Sequence, residues 1–133
     1  MKKHSIEFNV RYAETDRMGV VYYAGYFIWF EVGRTEYLKS LGLSYREIEE
    51  KHDIYLMVAG AECRYKSPAT YDDKIKLYTW ISSIKNASIS FEYEAFVGER
   101  LAAAGKTVHV FTDKNYKPTK IPTSFRDKLN VLD

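Results

Sequence analysis

An aspartate sits in the turn-forming stretch Glu14-Thr15-Asp16-Arg17-Met18-Gly19, a few residues ahead of a strongly apolar segment with helical spacing. A helix that begins there leaves the peptide N–H groups at Tyr23, Ala24 and Gly25 without intrahelical acceptors, at the positive end of the helix dipole. Such a terminus can hold an oxygen on which negative charge develops. Gly25 leaves the backbone open to close approach by a ligand. A carboxylate beside an oxyanion site supplies two of the parts that acyl transfer needs. Taken alone, an aspartate in a turn before a helix more often fixes the turn, so its context must assign it chemistry.

The elements that position these groups follow from periodicity. Ile6, Phe8, Val10 and Tyr12 alternate with Glu7, Asn9 and Arg11, which predicts a half-buried strand over Ser5–Tyr12. From Ala24 to Leu41 the period becomes helical, with Phe27, Phe30, Leu38 and Leu41 in one stripe that Tyr26 and Tyr37 widen. Tyr26 to Phe30 is apolar on almost every side, the pattern of a buried helix. Gly42 suits the residue just past its end. Ser44 with Glu47 reads as the start of a short helix. The rest is strand-like. Ile54, Leu56 and Val58 oppose Tyr55, Met57 and Ala59, leading towards Cys63 and Tyr65. Ile75, Leu77, Thr79 and Ile81 share a face, as do Ile89, Phe91, Tyr93, Ala95 and Val97. Leu101 to Thr112 forms a last strand with Gly105 as a candidate bulge. Hairpin turns fall at Lys85-Asn86-Ala87 and Gly98-Glu99-Arg100, and Thr123 to Leu129 forms a terminal helical turn or two. No repeat or linker divides the chain, so residues 1–133 read as one α+β domain.

Composition narrows the function class. The formal net charge of +2 argues against general nucleic-acid binding, which needs a concentrated basic face. The single cysteine, Cys63, rules out an intrachain disulfide framework. The start, MKKHSIEFNV, has no apolar run behind its lysines and does not read as a signal peptide. No segment approaches the length of a membrane span. A cytoplasmic, soluble protein is the expectation.

The stretch from Arg11 to Gly42 resembles the signature of the 4-hydroxybenzoyl-CoA thioesterase and YbgC-like branch of the hotdog superfamily. The matching residues are Tyr12, Thr15, Asp16, Gly19, Val21, Tyr22, Tyr26, Phe30, Glu31, Arg34, Glu36, Leu38 and Gly42. The resemblance continues in Tyr65-Lys66-Ser67-Pro68-Ala69, in Tyr71-Asp72-Asp73 and in the tail from Pro118 to Pro122, so it covers nearly the whole chain. It implies a curved five-stranded antiparallel sheet wrapped around one long central helix. It further implies pairing into a homodimer or homotetramer, with active sites at the protomer interface. The implied substrate is a small or medium-chain acyl-CoA, with aromatic acyl groups among the candidates, and no metal or other cofactor is called for. Asp16 would act as nucleophile or general base, and the Tyr23 N–H would polarise the thioester carbonyl. Gly19, Val21, Tyr22, Ala24, Gly25 and Tyr26 would line the substrate path, with Arg64, Lys66 and Ser67 at the end of a strand. Many YbgC-like members carry His where this chain has Tyr23, and Asn where it has Gly25. A mechanism built on that His gives way to one built on backbone N–H groups, which any residue but proline supplies.

The remaining candidates read more plainly. The Tyr23 hydroxyl suits an aromatic at a wet edge better than a catalytic donor. Glu31, a reserve catalytic acid, and Arg34 are spaced to form an ion pair on the helix. Cys63 lies in a strand pattern and lacks an activating neighbour, so it reads as a buried small apolar residue. His4, His52 and His109 have no metal-ligand spacing, and His109, between Val108 and Val110, is expected to face solvent or another protomer. Lys85, Arg64 and Lys66 read first as surface charge and second as contacts for coenzyme A phosphates; Ser88, like Ser67, has slighter support beside the pantetheine path. Two other classes compete with hydrolysis. One is a non-catalytic acyl-CoA-binding or regulatory protein. The other is a dehydratase, which would need a histidine that this helix-start motif lacks.

Overall fold

A computed structural model describes residues 2–130. The chain forms β1 (His4–Asn9), α1 (Gly25–Ser40), α2 (Tyr45–His52), β2 (Tyr55–Tyr65), β3 (Lys74–Ile84), β4 (Ser88–Val97), β5 (Arg100–Thr112) and α3 (Thr123–Asn130). The five strands make one sheet in the order β1-β3-β4-β5-β2, antiparallel throughout. Helix is divided among three segments rather than concentrated in one. The longest, α1, has 16 residues, and α2 and α3 have 8 each. None of the described helices is long and apolar enough to cross a membrane.

The alternating strands bury one face under α1. Ile75, Leu77, Thr79 and Ile81 of β3 and Ile89, Phe91, Tyr93 and Ala95 of β4 are all buried. The Phe30 ring stacks on Tyr93 with centroids 4.3 Å apart, and Trp29 meets Phe8 of β1 edge-on at 5.0 Å. Gly33 lets the helix backbone settle on β3, since a Cβ there would stand 2.6 Å from Thr79 Oγ1. The helix ends in a Schellman motif, in which the Leu43 N–H reaches the Leu38 carbonyl and the Gly42 N–H reaches Lys39 at 2.9 Å each, with Gly42 at φ +77°. Ser44 caps α2 by accepting the Glu47 N–H at 3.1 Å, while the Glu47 carboxylate turns to Lys51 instead of completing the reciprocal box.

Four expectations need correction. Tyr12 does not continue the face of Ile6 and Phe8; the strand ends at Asn9, a 3₁₀ turn takes Tyr12–Glu14, and Tyr12 is 78% exposed. The first half of α1 is not buried all round, because Ile28 is 60% exposed, in an open groove between the helix and β1. Gly105 is no bulge. It pairs in register with both Tyr93 and Cys63, and it is there because the Phe30 ring lies where a Cβ would go. The β2 alternation stops at a register shift between Val58 and Gly60, which leaves Val58 on the exposed side.

Candidate active site

The turn before α1 is pinned from several sides. Glu14 accepts the Arg11 N–H at 2.8 Å through Oε1 and the Trp29 indole N–H at 2.7 Å through Oε2, which ties the 3₁₀ turn to the helix. Burial works to raise the Glu14 carboxyl, but the donors from Arg11 and Trp29 outweigh it and hold the group below the ordinary carboxylate range. The chain then doubles back in a miniature hairpin. Thr15 bridges Val21, the Asp16 N–H reaches the Val20 carbonyl at 2.8 Å, and the Gly19 N–H reaches the Asp16 carbonyl at 2.9 Å. Gly19 takes φ +83° in that turn, which is the reason for a glycine there. The hairpin docks on the corner after β2 through Val20–Thr70 and through the Val21 N–H, which reaches the buried Ala69 carbonyl at 2.8 Å.

Asp16 uses one carboxylate oxygen locally: its Oδ1 accepts the Met18 N–H at 2.8 Å. Its Oδ2 has no hydrogen-bond partner among the described residues. Downstream, the Gly25 N–H is spent on the Tyr22 carbonyl at 2.9 Å, so it leaves the set of free donors. The N–H groups of Tyr23 and Ala24 have no acceptor among the described residues.

An open cleft of about 390 Å³ lies between this hairpin, the start of α1 and the end of β2. It brings together six residues expected from sequence: Asp16, Val21, Tyr23, Tyr26, Lys66 and Ser67. Tyr26 is 3% exposed, and burial pushes its hydroxyl up to about 12, so it stays neutral. Ser67 is engaged in holding the corner, donating to the Leu101 carbonyl at 2.8 Å and accepting from Arg100 at 2.8 Å.

The cleft also holds Met18, Val20, Tyr65 and Pro68, which the sequence reading did not select. Tyr65 was legible in principle: strand alternation puts it on the Cys63 side of β2, facing the helix. Its ring meets Tyr26 edge-on at 5.5 Å and Tyr23 at 6.5 Å, and its hydroxyl donates to the Tyr23 carbonyl at 2.9 Å.

The same alternation removes Arg64. It stands on the opposite face of β2, in an outer groove with Glu62, Glu92 and Lys106. Gly19, Tyr22 and Gly25 do not line the cleft, and Ala24 adjoins it only through the peptide it shares with Tyr23. They shape the turn and the helix start, with Ala24 as N-cap. Lys85 and Ser88 lie at the far end of the 11-residue β3, away from the corner that carries the cleft.

Glu31 and Arg34 make no ion pair. Glu31 is exposed, while Arg34 turns inward and donates to the Tyr45 hydroxyl at 3.1 Å. His109 is also a correction: it is 1% exposed, facing the core with Thr107 and Phe111. Its Nε2 lies 2.8 Å from Thr107 Oγ1, its ring meets Phe91 edge-on, and burial lowers its pKa to about 3. Cys63 is half-buried, and burial raises its thiol, which opposes reactivity.

A family model described as the thioesterase-like superfamily matches residues 10–129. The YneP protein of Bacillus subtilis is 36% identical over 124 residues, covering 91% of this chain and 88% of its own. The acyl-CoA thioester hydrolase YbgC of an Escherichia coli O6:H1 strain is 30% identical over 117 residues, 86% of this chain and 87% of its own. Among solved structures, a DHNA-CoA thioesterase from Staphylococcus aureus superposes with a TM-score of 0.92 at 31% identity, over 99% of this chain and 91% of that one. A matching family model over most of the length and a fold shared with a solved thioesterase agree: the chain belongs to the thioesterase-like superfamily and is a thioesterase of the hotdog fold.

Proposed function

We propose that this thioesterase hydrolyses acyl-CoA thioesters in the cleft between Asp16 and the start of α1, with Asp16 as the working carboxylate and the Tyr23 N–H as an oxyanion donor. One observation carries the reading: Asp16 and Tyr23 line the same cleft, while the Tyr23 N–H has no acceptor among the described residues. A thioester carbonyl seated there gains negative charge on its oxygen as attack proceeds, and a fixed N–H stabilises that charge.

Two routes fit. In the first, the Asp16 carboxylate bonds to the carbonyl carbon, the carbon–sulfur bond breaks and coenzyme A leaves as thiolate. Water then opens the mixed anhydride, releasing the acid and restoring the carboxylate. In the second, Asp16 takes a proton from water as the water oxygen bonds to the carbonyl carbon, and the tetrahedral intermediate expels thiolate. Thiolate leaves readily, so neither route needs a strong general acid. A single turnover in oxygen-18 water tests the first route: label entering the enzyme carboxylate shows that Asp16 had bonded to the acyl group.

The rings of Tyr23, Tyr26 and Tyr65 suit a flat or medium-chain acyl group. Similarity to a DHNA-CoA thioesterase supports the aromatic end of that range, and similarity to YbgC supports coenzyme A as carrier. Lys66, exposed at the cleft, is assigned to the coenzyme A phosphates. The edge strand β2 ends in the wall of the cleft. We assign it to pairing with a second copy in a homodimer or tetramer, which covers an otherwise open edge and brings the partner to the site.

The test is release of coenzyme A thiol, read with DTNB, across a panel of aromatic and medium-chain acyl-CoAs. Turnover of at least one of them is expected. Saturable binding of the esters without thiol release would replace hydrolysis with a binding or regulatory role.

A further inference from the structure

The turn that opens α1 carries two N–H groups without an acceptor among the described residues, those of Tyr23 and Ala24. The direction of a peptide N–H is fixed by the plane it shares with the preceding carbonyl. The Tyr22 carbonyl, in plane with the Tyr23 N–H, is held by the Gly25 N–H at 2.9 Å. The Tyr23 carbonyl, in plane with the Ala24 N–H, is held by the Tyr65 hydroxyl at 2.9 Å. One plane is therefore anchored within the turn, and the other by a side chain from the end of β2.

A hydrogen bond accepted by an amide oxygen also polarises the amide and strengthens its N–H as a donor. The Tyr65 ring is itself set between Tyr23 and Tyr26. Neither ring nor hydroxyl is there for burial. Tyr65 is 48% exposed, and water could satisfy both its hydroxyl and the Tyr23 carbonyl.

We propose, on the thioester-hydrolysis reading above, that Tyr65 is a positioning residue of the oxyanion site. Its hydroxyl orients the Tyr23–Ala24 peptide and strengthens the Ala24 N–H, which joins the Tyr23 N–H as a second donor to the thioester oxygen. Tyr65 acts through that peptide and touches none of the reacting atoms.

Tyr65→Phe keeps the ring and removes the hydroxyl. With the best acyl-CoA of the panel, kcat is expected to fall about 10- to 100-fold, less than loss of a direct donor, with KM changed by less than about threefold. The second readout is the infrared carbonyl stretch of a ¹³C-labelled benzoyl-CoA analogue in which a methylene replaces the thioester sulfur. Bound to the wild type, its frequency falls below the solution value; bound to Tyr65→Phe, most of that fall is lost. An unchanged frequency in the variant overturns the proposal, whether kcat is retained or falls together with melting temperature. So does a change confined to KM, which would make Tyr65 a substrate contact. Absence of both turnover and frequency shift in the wild type would overturn the hydrolytic reading itself, and the role of Tyr65 with it.

Discussion

Asp16 holds the Met18 N–H at 2.8 Å through Oδ1, while its Oδ2 has no partner among the described residues. The structural and the chemical readings of this aspartate thus fall on different oxygens of one carboxylate. Asparagine keeps an acceptor for Met18, whereas alanine does not. Asp16→Asn is therefore expected to match the wild type in urea denaturation within about 0.5 kcal/mol, and Asp16→Ala to lose about 1 kcal/mol. Equal stability of all three proteins would show that the Met18 contact contributes nothing.

Gly105 faces a filled space. A Cβ there would overlap Phe30 Cε2 and stand 2.5 Å from Cζ, and Phe30 is fully buried against Tyr93. Neither ring can yield without moving α1. Gly105→Ala is expected to cost about 1–3 kcal/mol in denaturant unfolding, the range for overpacked cores. A wild-type midpoint would mean that the helix shifts freely, against the packing described above.

His109 makes stability depend on pH. Its pKa falls from an ordinary 6.5 to about 3 in the folded protein, because burial disfavours the charged ring. Below pH 6.5 the unfolded chain takes the proton and the folded one does not. The contribution of neutral His109 is thus complete above about pH 6.5 and is lost progressively as pH falls towards about 3, with a slope of at most about 1.4 kcal/mol per pH unit. The urea midpoint should fall between pH 7 and pH 5, and fall less in His109→Gln. Parallel pH profiles would place the sensitivity elsewhere.

Local signals in the sequence were reliable where the element itself decides the outcome. The alternation of Ile6 and Phe8, the shared faces of β3 and β4, the cap at Ser44 and the stop at Gly42 all follow from contacts within a few residues. His109 failed because alternation separates two faces without saying which is inside. Its neighbours Val108 and Val110 suggested the wrong one, while Thr107 and Phe111 share its buried side. Gly105 failed because a strand glycine serves either a bulge or a close approach, and the approaching ring, Phe30, comes from a helix 75 positions earlier. In the cleft, Asp16 and Tyr23 were legible from the long matching signature that holds them in register, since a turn aspartate alone reads as structural. Pro68 arrives through the placement of β2 beside β5, which no local pattern encodes; alternation puts Tyr65 on the Cys63 side of β2, but only that same placement brings it to Tyr23.

Asp16→Asn, assayed for coenzyme A thiol release on an acyl-CoA that the wild type turns over, isolates the chemical role of this carboxylate. With the Met18 contact preserved, melting temperature should stay at the wild-type value, while kcat falls by about 100-fold or more, as expected for loss of a nucleophile or general base. Wild-type turnover by a fully folded Asp16→Asn protein would show that this carboxylate does not carry the reaction.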